Sequence, residues 1–99
     1  MITVTDNRAL NRFEAHDGDE LAGFAVYILT PEMVVFTHTE VAAKFEGKGV
    51  GSQLAKFGIE SAESEQLKVL AVCPFIGAWL AKHPELAHLE YRSTSNVTD

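Results

Sequence analysis

A glycine-rich segment near the middle of the chain limits the possible folds more than any other part of the sequence. Its glycines, Gly47, Gly49 and Gly51, occupy alternate positions. Before this segment, apolar and polar residues alternate in short runs, a pattern typical of β-strands. After it, residues 50–65 carry apolar side chains at helical spacing. The segment therefore predicts a turn that joins a strand to a helix.

The alternating part of the sequence predicts four strands. Residues 17–19, which read Asp-Gly-Asp, are a turn signal between the second and third strands, and Pro31 breaks the chain before the fourth. In the third strand, Phe24, Val26 and Ile28 share one face, because successive side chains point to opposite sides. The predicted strands cover residues 3–7, 11–16, 21–29 and 33–41.

The second half of the chain predicts the order helix, strand, helix. A short buried strand is expected at residues 68–72, after the amphipathic helix over residues 50–65. Pro74 suits the first turn of a second helix, which runs to about His83 because Pro84 stops it. Antiparallel strands followed by such a crossover indicate an α+β or α/β fold, with a mostly antiparallel central sheet and one parallel pair.

Size and charge exclude several classes of protein. Ninety-nine residues suit one domain, which we place at residues 1–92, with a flexible C-terminal tail at residues 93–99. The formal charge of −6, from 14 acidic and 8 basic residues, argues against nucleic-acid binding and fits a cationic partner better. The single cysteine, Cys73, excludes an intramolecular disulfide and a cysteine-rich zinc site, and it fits a reducing compartment.

The sequence also predicts a cytoplasmic protein with no membrane partner. The N-terminus has neither the basic nor the apolar part of a signal peptide. The longest apolar run, residues 69–81, is shorter than the roughly 20 residues that a bilayer span needs. The four histidines and the scattered carboxylates lack metal-ligand spacing, so we expect no metal. A monomer and a dimer are both compatible with the sequence.

The glycine segment has the chemistry of an anion-binding loop. Alternating glycines let backbone N–H groups approach a ligand closely, and a helix N-terminus favours anions such as pyrophosphate. The residues of this segment match neither of two well-known phosphate-binding motifs. A Walker A loop requires glycine where Ala42 stands, and a Rossmann fingerprint requires glycine where Ser52 stands. A turn that only permits tight packing is the alternative interpretation.

The segment resembles the acetyl-CoA pyrophosphate loop of the GNAT superfamily of N-acetyltransferases. That loop reads Gln/Arg-x-x-Gly-x-Gly/Ala between the fourth strand and a long helix, and residues 46–51 here read Glu-Gly-Lys-Gly-Val-Gly. Glu46 departs from the motif, since a carboxylate does not help to bind pyrophosphate. Lys48 or Lys44 could compensate, or the Glu46 side chain could point away. The resemblance implies that acetyl-CoA binds at Val41, Glu46, Gly47, Lys48, Gly49, Val50, Gly51 and Ser52.

A second resemblance covers most of the chain. Residues 38–41 read His-Thr-Glu-Val, the glycine loop follows, and residues 73–85 read Cys-Pro-Phe-Ile-Gly-Ala-Trp-Leu-Ala-Lys-His-Pro-Glu. These three motifs, in this order, are similar to the small single-domain YjdJ-type N-acetyltransferases of the GNAT superfamily. The resemblance implies a truncated GNAT-like fold that binds acetyl-CoA. It does not specify the amine that accepts the acetyl group.

Two ionisable residues near the end of the fourth strand are candidates for the proton acceptor. On a strand, His38 and Glu40 share one face, and Thr39 and Val41 share the other. Acetyl transfer to an amine requires that the amine lose a proton. Glu40 is the first candidate, although a histidine titrates nearer to neutral pH than a glutamate does. A solvated strand end with no catalytic role is the alternative interpretation.

Cys73 is the third catalytic candidate. It follows an apolar strand and immediately precedes a helix, whose N-terminus can lower the pKa of a thiol. Three roles stay open: acid for the leaving thiolate, nucleophile that carries the acetyl group, or small packing residue near the acetyl site. The GNAT resemblance implies a tyrosine acid on the last helix. No tyrosine stands there; Trp79 cannot serve as an acid, and Tyr91 is a weak substitute.

These observations together predict an acetyl-CoA-dependent N-acetyltransferase. The acceptor is a primary amine, either a small cationic amine or a lysine of a peptide or protein. Two alternatives stay open. The first is a non-catalytic module that binds CoA or acyl-CoA on the same fold, and the second is an interaction domain whose glycines are structural.

Overall fold

A computed structural model describes residues 1–91, so the tail predicted at residues 93–99 lies outside the described residues. The strands are β1 (Ile2–Asn7), β2 (Arg12–Asp17), β3 (Glu20–Leu29), β4 (Met33–Val41) and β5 (Lys68–Ala71). The α-helices are α1 (Val50–Ser64) and α2 (Pro74–Ala81), and 3-10 helices cover Arg8–Leu10, Ala43–Phe45 and Pro84–Leu89. The predicted order of four strands, helix, strand and helix is confirmed.

The second helix is shorter than predicted. It ends at Ala81, before the expected end at His83. His83 has φ −129° and ψ 69°, outside the helical region. A residue that precedes proline is pushed towards extended conformations, so the restriction imposed by Pro84 reaches back to His83.

The five strands form one sheet in the order β1-β2-β3-β4-β5. β1 to β4 pair antiparallel, whereas β5 pairs parallel to β4. The predicted turn between β2 and β3 is present, with Gly18 at φ 64°. A parallel pair needs a crossover connection, and α1 supplies it. The expected mixed fold, mostly antiparallel with one parallel pair, is therefore confirmed.

Both α-helices pack on the same face of the sheet. Gly58 of α1 lies over Phe36 of β4, because a Cβ at Gly58 would come within 2.9 Å of the Phe36 ring. The nearest side-chain atom to Gly77 of α2 is the Cβ of Ala71, which is the cross-strand partner of Phe36. Cross-strand partners share a face of the sheet. The Phe36 side is therefore the covered side.

The opposite face of the sheet, here called the open face, carries no α-helix of the described residues. Phe24, Val26 and Ile28 share it, as the alternation predicted, while Ala25 and Tyr27 of the same strand are buried on the covered side. Both faces of β3 are apolar. The alternation therefore predicted which residues share a face but not which face the helices cover.

A β-bulge in β4 reverses the alternation of that strand. Val26 pairs with His38, but the next residue of β3, Tyr27, pairs with Phe36, which leaves Thr37 as the extra residue. One extra residue moves all later side chains to the other face. Phe36 therefore faces the helices, whereas His38 faces the open side.

Candidate active site

The glycine segment forms a turn that leads directly into α1. Gly47 and Gly49 have φ angles of 80° and 78°, in the left-handed region that favours glycine. Gly49 caps α1 without a side-chain hydrogen bond. The first helical hydrogen bond runs from Gln53 N to Gly49 O at 3.0 Å, so the amides of residues 49–52 have no acceptor within the helix. These amides make the start of α1 suitable for an anion.

The start of α1 borders a cleft of about 220 Å³ that reaches the first turn of α2. Seven of the eight residues expected to bind acetyl-CoA line this cleft, and Lys48 is the exception. The seven are Val41, Glu46, Gly47, Gly49, Val50, Gly51 and Ser52. The structure thus brings together residues from the end of β4, the glycine turn and the start of α1.

Sequence reasoning missed two residues of the cleft, Phe45 and Phe75. Phe75 packs against Gly51: a Cβ at Gly51 would lie 2.7 Å from the Phe75 ring. Glycine at this position therefore permits α2 to approach α1 closely, which closes one side of the cleft. The position of Phe75 directly after Pro74 was the available signal, but only the packing of two helices reveals the contact.

A second depression of about 280 Å³ continues beyond Phe75 along α2. Its floor includes Trp79, which stacks on His83 with ring centroids 3.7 Å apart. His83 Nδ1 also lies 2.7 Å from Trp79 O, which holds the imidazole against the end of α2. Lys82 lines the same depression. Aromatic rings and a cation therefore adjoin the glycine cleft.

Lysines are concentrated around the cleft despite the net charge of −6. Lys44 and Lys48 lie in or beside the glycine turn, and Lys82 lies in the adjoining depression, out of five lysines in the whole chain. Lys44 already pairs with Glu20 at 3.0 Å. Lys48 is exposed within the turn itself, so it is the better placed of the two to offset the carboxylate of Glu46.

The second half of β4 separates from β5 beside this cleft. Pairing between the two strands ends at Phe36 and Ala71. The Phe36 carbonyl oxygen accepts hydrogen bonds from both Val72 N and Cys73 N, each at 2.9 Å. Among the strands of residues 1–91, only β3 pairs with β4 beyond this point. The edge of β4 after Phe36 is thus left without a partner among the described strands on the β5 side, and this gap in the sheet ends at Val41, which lines the cleft.

His38 and Glu40 lie together on the open face. His38 Nε2 is 3.7 Å from Glu40 Oε2, and both side chains are more than half exposed. Phe24 adjoins both, because it pairs with Glu40 across the strands and its ring centroid is 6.3 Å from that of His38. A depression of about 270 Å³ contains Phe24, Glu40 and Val41, and Val41 also lines the glycine cleft.

Cys73 lies on the covered side of β4. It is buried, it precedes α2 directly, and its Sγ is 3.3 Å from Thr39 Oγ1. Burial by itself raises the pKa of the Cys73 thiol, but hydrogen bonds from the Thr39 hydroxyl and from the amides of Ile76 and Phe75 outweigh it. The pKa therefore lies below the ordinary thiol value, which increases the reactive thiolate fraction.

The three predicted catalytic residues do not form one contiguous cluster. Cys73 contacts Thr39, whereas His38 and Glu40 project from the opposite face of the same strand. Strand β4 itself separates the two groups. A molecule in the gap along the unpaired edge of β4 would have the thiol on one face of the strand and the His–Glu pair on the other.

Neither described tyrosine replaces the acid that the last helix lacks. The Tyr27 hydroxyl donates to Asp6 at 2.7 Å, and burial together with that acceptor raises the pKa of Tyr27 to about 12. Tyr91 N donates to Val69 O at 2.8 Å. Val69 pairs with Val34, at the end of the β4–β5 ladder away from Cys73. Tyr91 is therefore poorly placed to act near the thiol.

Two further properties concern the described residues as a whole. Across residues 1–91, no three His, Cys, Asp or Glu side chains are grouped so that they could hold a metal ion. None of the helices in this part of the chain is long and apolar enough to span a bilayer.

The fold and the cleft together define a class of protein. Four antiparallel strands, a glycine turn into a helix and a parallel fifth strand form a GNAT-like fold. The family model of the GCN5-related N-acetyltransferases matches residues 12–89. The chain therefore belongs to the GCN5-related N-acetyltransferase family, whose general activity is acetyl transfer. The resemblance to the GNAT superfamily is confirmed, and the narrower YjdJ type stays a prediction.

Two solved structures are similar to this chain. A GCN5-like protein from Staphylococcus aureus, solved by NMR, gives a TM-score of 0.69 at 24% identity, covering 90% of this chain and 87% of that one. A transcriptional regulator from Bacillus halodurans gives a TM-score of 0.54 at 18% identity, covering 89% of this chain and 63% of that one. At these identities the likeness shows the fold alone. No curated protein matches the chain significantly.

Proposed function

We propose that this chain is an acetyl-CoA-dependent N-acetyltransferase that acts on a primary amine. The observation that carries the proposal is the cleft at the start of α1, where four amides without helical acceptors border a glycine turn. Such amides and the positive end of a helix bind phosphate oxygens, so the pyrophosphate of CoA suits this position. Membership of an acetyltransferase family supports the same assignment.

The rest of the cosubstrate is proposed to follow the cleft in both directions. The pantetheine arm would run past Val41 along the half of β4 that lacks a β5 partner, where backbone groups are available to its amides. Its thioester would then lie near Thr39 and Cys73. The nucleotide end would extend past Phe75, over the depression that contains Trp79 and Lys82. An aromatic floor suits a base, and a lysine suits a phosphate.

The side chains around the gap can perform the steps of acetyl transfer. The amine loses a proton to Glu40 or His38, its lone pair attacks the thioester carbon, a C–N bond forms and the C–S bond breaks. The leaving thiolate then takes up a proton, for which the Cys73 thiol is a candidate donor. Alternatively, the Cys73 thiolate first accepts the acetyl group and passes it to the amine. The lowered pKa of Cys73 favours a chemical role over packing.

A charge placed in the glycine turn tests the binding site. We expect Gly49→Asp to weaken CoA binding by at least about tenfold, because the added carboxylate would repel the pyrophosphate. A tenfold loss of affinity corresponds to about 1.4 kcal/mol of binding free energy. Gly18→Asp is a matched control: Gly18 also has a positive φ and open space around it, but it lies in the β2–β3 turn. Isothermal titration calorimetry measures both affinities. Equal binding by the two variants would contradict the assigned site.

A non-catalytic CoA-binding module is the second candidate function. The carboxylate of Glu46 in the cleft and the absence of a suitable tyrosine among residues 1–91 favour it. Release of free thiol from acetyl-CoA in the presence of amines distinguishes the two functions. If release depends on the amine and falls in Glu40→Gln or Cys73→Ala, the protein is an enzyme. Tight binding with no amine-dependent release would establish the binding module.

A further inference from the structure

The open face of the sheet carries apolar side chains of β3 that no helix covers among the described residues. On β3, the covered side presents Ala25 and Tyr27 to the helices, whereas the open side presents Phe24, Val26 and Ile28. Ile28 remains 56% exposed. Cross-strand pairing adds Val35, opposite Ile28, and then Leu70, opposite Val35. The result is an apolar strip across β3, β4 and β5.

Two carboxylates of the open face, those of Glu14 and Glu40, differ in how closely cationic side chains approach them. Glu14 accepts hydrogen bonds from Arg12 at 2.6 Å and from Asn7 at 3.1 Å, and the bond from Arg12 holds the pKa of Glu14 below its ordinary value. Arg12 also lies over the Phe24 ring at 4.5 Å. Glu40, by contrast, is exposed, and its carboxylate lies 3.7 Å from the His38 ring nitrogen. The exposed carboxylate of Glu40 therefore complements a cation at one end of the apolar strip.

We propose that the acetyl acceptor is a lysine side chain of a polypeptide that binds in an extended conformation across the open face. This inference rests on the proposed function. The lysine ammonium would approach Glu40 and His38, lose its proton there and attack the thioester in the adjoining gap. Apolar side chains of the polypeptide would cover Val26 and Ile28. In an extended segment, these would stand two and four positions from the lysine, because every second side chain shares a face.

The two other possible occupants fit the face less well. A small amine would reach Glu40 but would leave Ile28 uncovered, four residues and about 13 Å away along β3. A second copy of the chain seated on this face would cover His38 and Glu40, which the reaction needs to be accessible. A polypeptide with one lysine uses both the carboxylate and the apolar strip.

Three acceptors of matched chemistry test the proposal. The first is N-acetyl-lysine amide, the second is a nine-residue peptide with a central lysine and valine two and four positions away, and the third is that peptide with serine at those positions. We expect kcat/KM for the valine peptide to exceed that for the serine peptide by at least about tenfold, since burial of one apolar side chain supplies about 1.5 kcal/mol or more. The free lysine derivative should resemble the serine peptide.

One pair of variants tests whether the preference for the valine peptide depends on the open face. Ile28→Lys removes an apolar contact and adds a charge that repels a cationic peptide, whereas Phe57→Lys adds the same charge on α1. Phe57 is 39% exposed and lies on the covered side, where it contacts Phe13. We expect Ile28→Lys to lower the ratio of valine-peptide to lysine-amide kcat/KM about tenfold, and Phe57→Lys to leave that ratio unchanged. Thermal unfolding with and without CoA verifies that both variants fold and bind.

Each outcome has a separate meaning. Acetylation of all three acceptors with equal kcat/KM would overturn the polypeptide proposal and leave the acetyltransferase function standing. A dimer in sedimentation that Ile28→Lys converts to a monomer would overturn it in favour of a second copy. No amine-dependent turnover with any acceptor, in protein that binds CoA, would overturn the enzyme itself and this inference with it. Preference for the valine peptide, lost in Ile28→Lys alone, supports the proposal.

Discussion

At the scale of single residues, a set of hydrogen bonds distinguishes Cys73 from an ordinary buried thiol. A buried cysteine is usually a small apolar residue with a raised pKa. Here Thr39 Oγ1 lies 3.3 Å from Cys73 Sγ, and two amides of α2 also point at the sulfur. Their hydrogen bonds more than cancel the effect of burial on the pKa. Thr39 occupies this place because the bulge at Thr37 turns it towards the helices.

Removal of the Thr39 hydroxyl is therefore expected to raise the pKa of Cys73. Thr39→Val keeps the shape and the β-branched side chain but loses a hydrogen bond that stabilises the thiolate. The ultraviolet absorbance of the thiolate, followed against pH, measures the change. Thr37→Val is the matched control, since the Thr37 hydroxyl donates to Val26 O at 3.4 Å instead. Identical titrations of the two variants would contradict this account of the lowered pKa.

At the scale of elements, the fit of α1 on the sheet depends on residues without side chains. Gly58 faces the rings of Phe36 and Phe13 and leaves no room for a side chain. A Cβ at this position would lie 2.9 Å from the Phe36 ring and 3.2 Å from the Phe13 ring. Gly51 holds the same relation to Phe75. The periodic pattern predicted α1 and its boundaries correctly, because helix formation is local. The pattern did not predict the contact between α1 and Phe75, which depends on how two helices approach.

A side chain at Gly58 is expected to destabilise the fold although it would improve helix propensity. Gly58→Val would displace Phe36 or lift α1, at a cost of about 1–3 kcal/mol. Lys56→Val is the control. It places valine at an exposed position of the same helix, so it lowers the helix propensity without a clash against Phe36. Urea unfolding of both variants gives the difference in the free energy of unfolding. Equal free energies of unfolding for the two variants would contradict the close approach of Gly58 to the Phe36 ring.

At the scale of the whole molecule, lysines near the glycine cleft and an exposed carboxylate on the open face lie on different sides of the sheet. Lys48 is exposed in the glycine turn and Lys82 lines the depression beside the cleft, whereas the exposed carboxylate of Glu40 lies on the open face. The proposed anionic cosubstrate and cationic acceptor would therefore approach from different sides of the sheet. Val41 lines both the glycine cleft and the depression that contains Glu40, so the two proposed sites adjoin there.

CoA is expected to stabilise the folded chain as a whole. A ligand at 100 times its dissociation constant adds about 2.7 kcal/mol to the free energy of unfolding, which corresponds to a Tm increase of roughly 10 °C or more in a domain of this size. Differential scanning calorimetry with acetyl-CoA and CoA measures the increase, and NAD and ATP serve as controls. An equal increase with NAD would indicate general anion binding instead of a CoA site.

The sequence by itself determined the order of strands and helices and the glycine turn at the start of α1. The resemblance to the GNAT pyrophosphate loop, and not a local pattern, named seven of the residues that line the cleft. The element order and the turn are local, since they depend on side-chain period, turn residues and proline. Only the tertiary structure decided which face of β3 the helices cover, where β4 bulges and where it parts from β5. Those features depend on the fit between elements distant in sequence. They place Cys73 on one side of the sheet and Glu40 on the other, because a single extra residue, Thr37, reverses the alternation of β4.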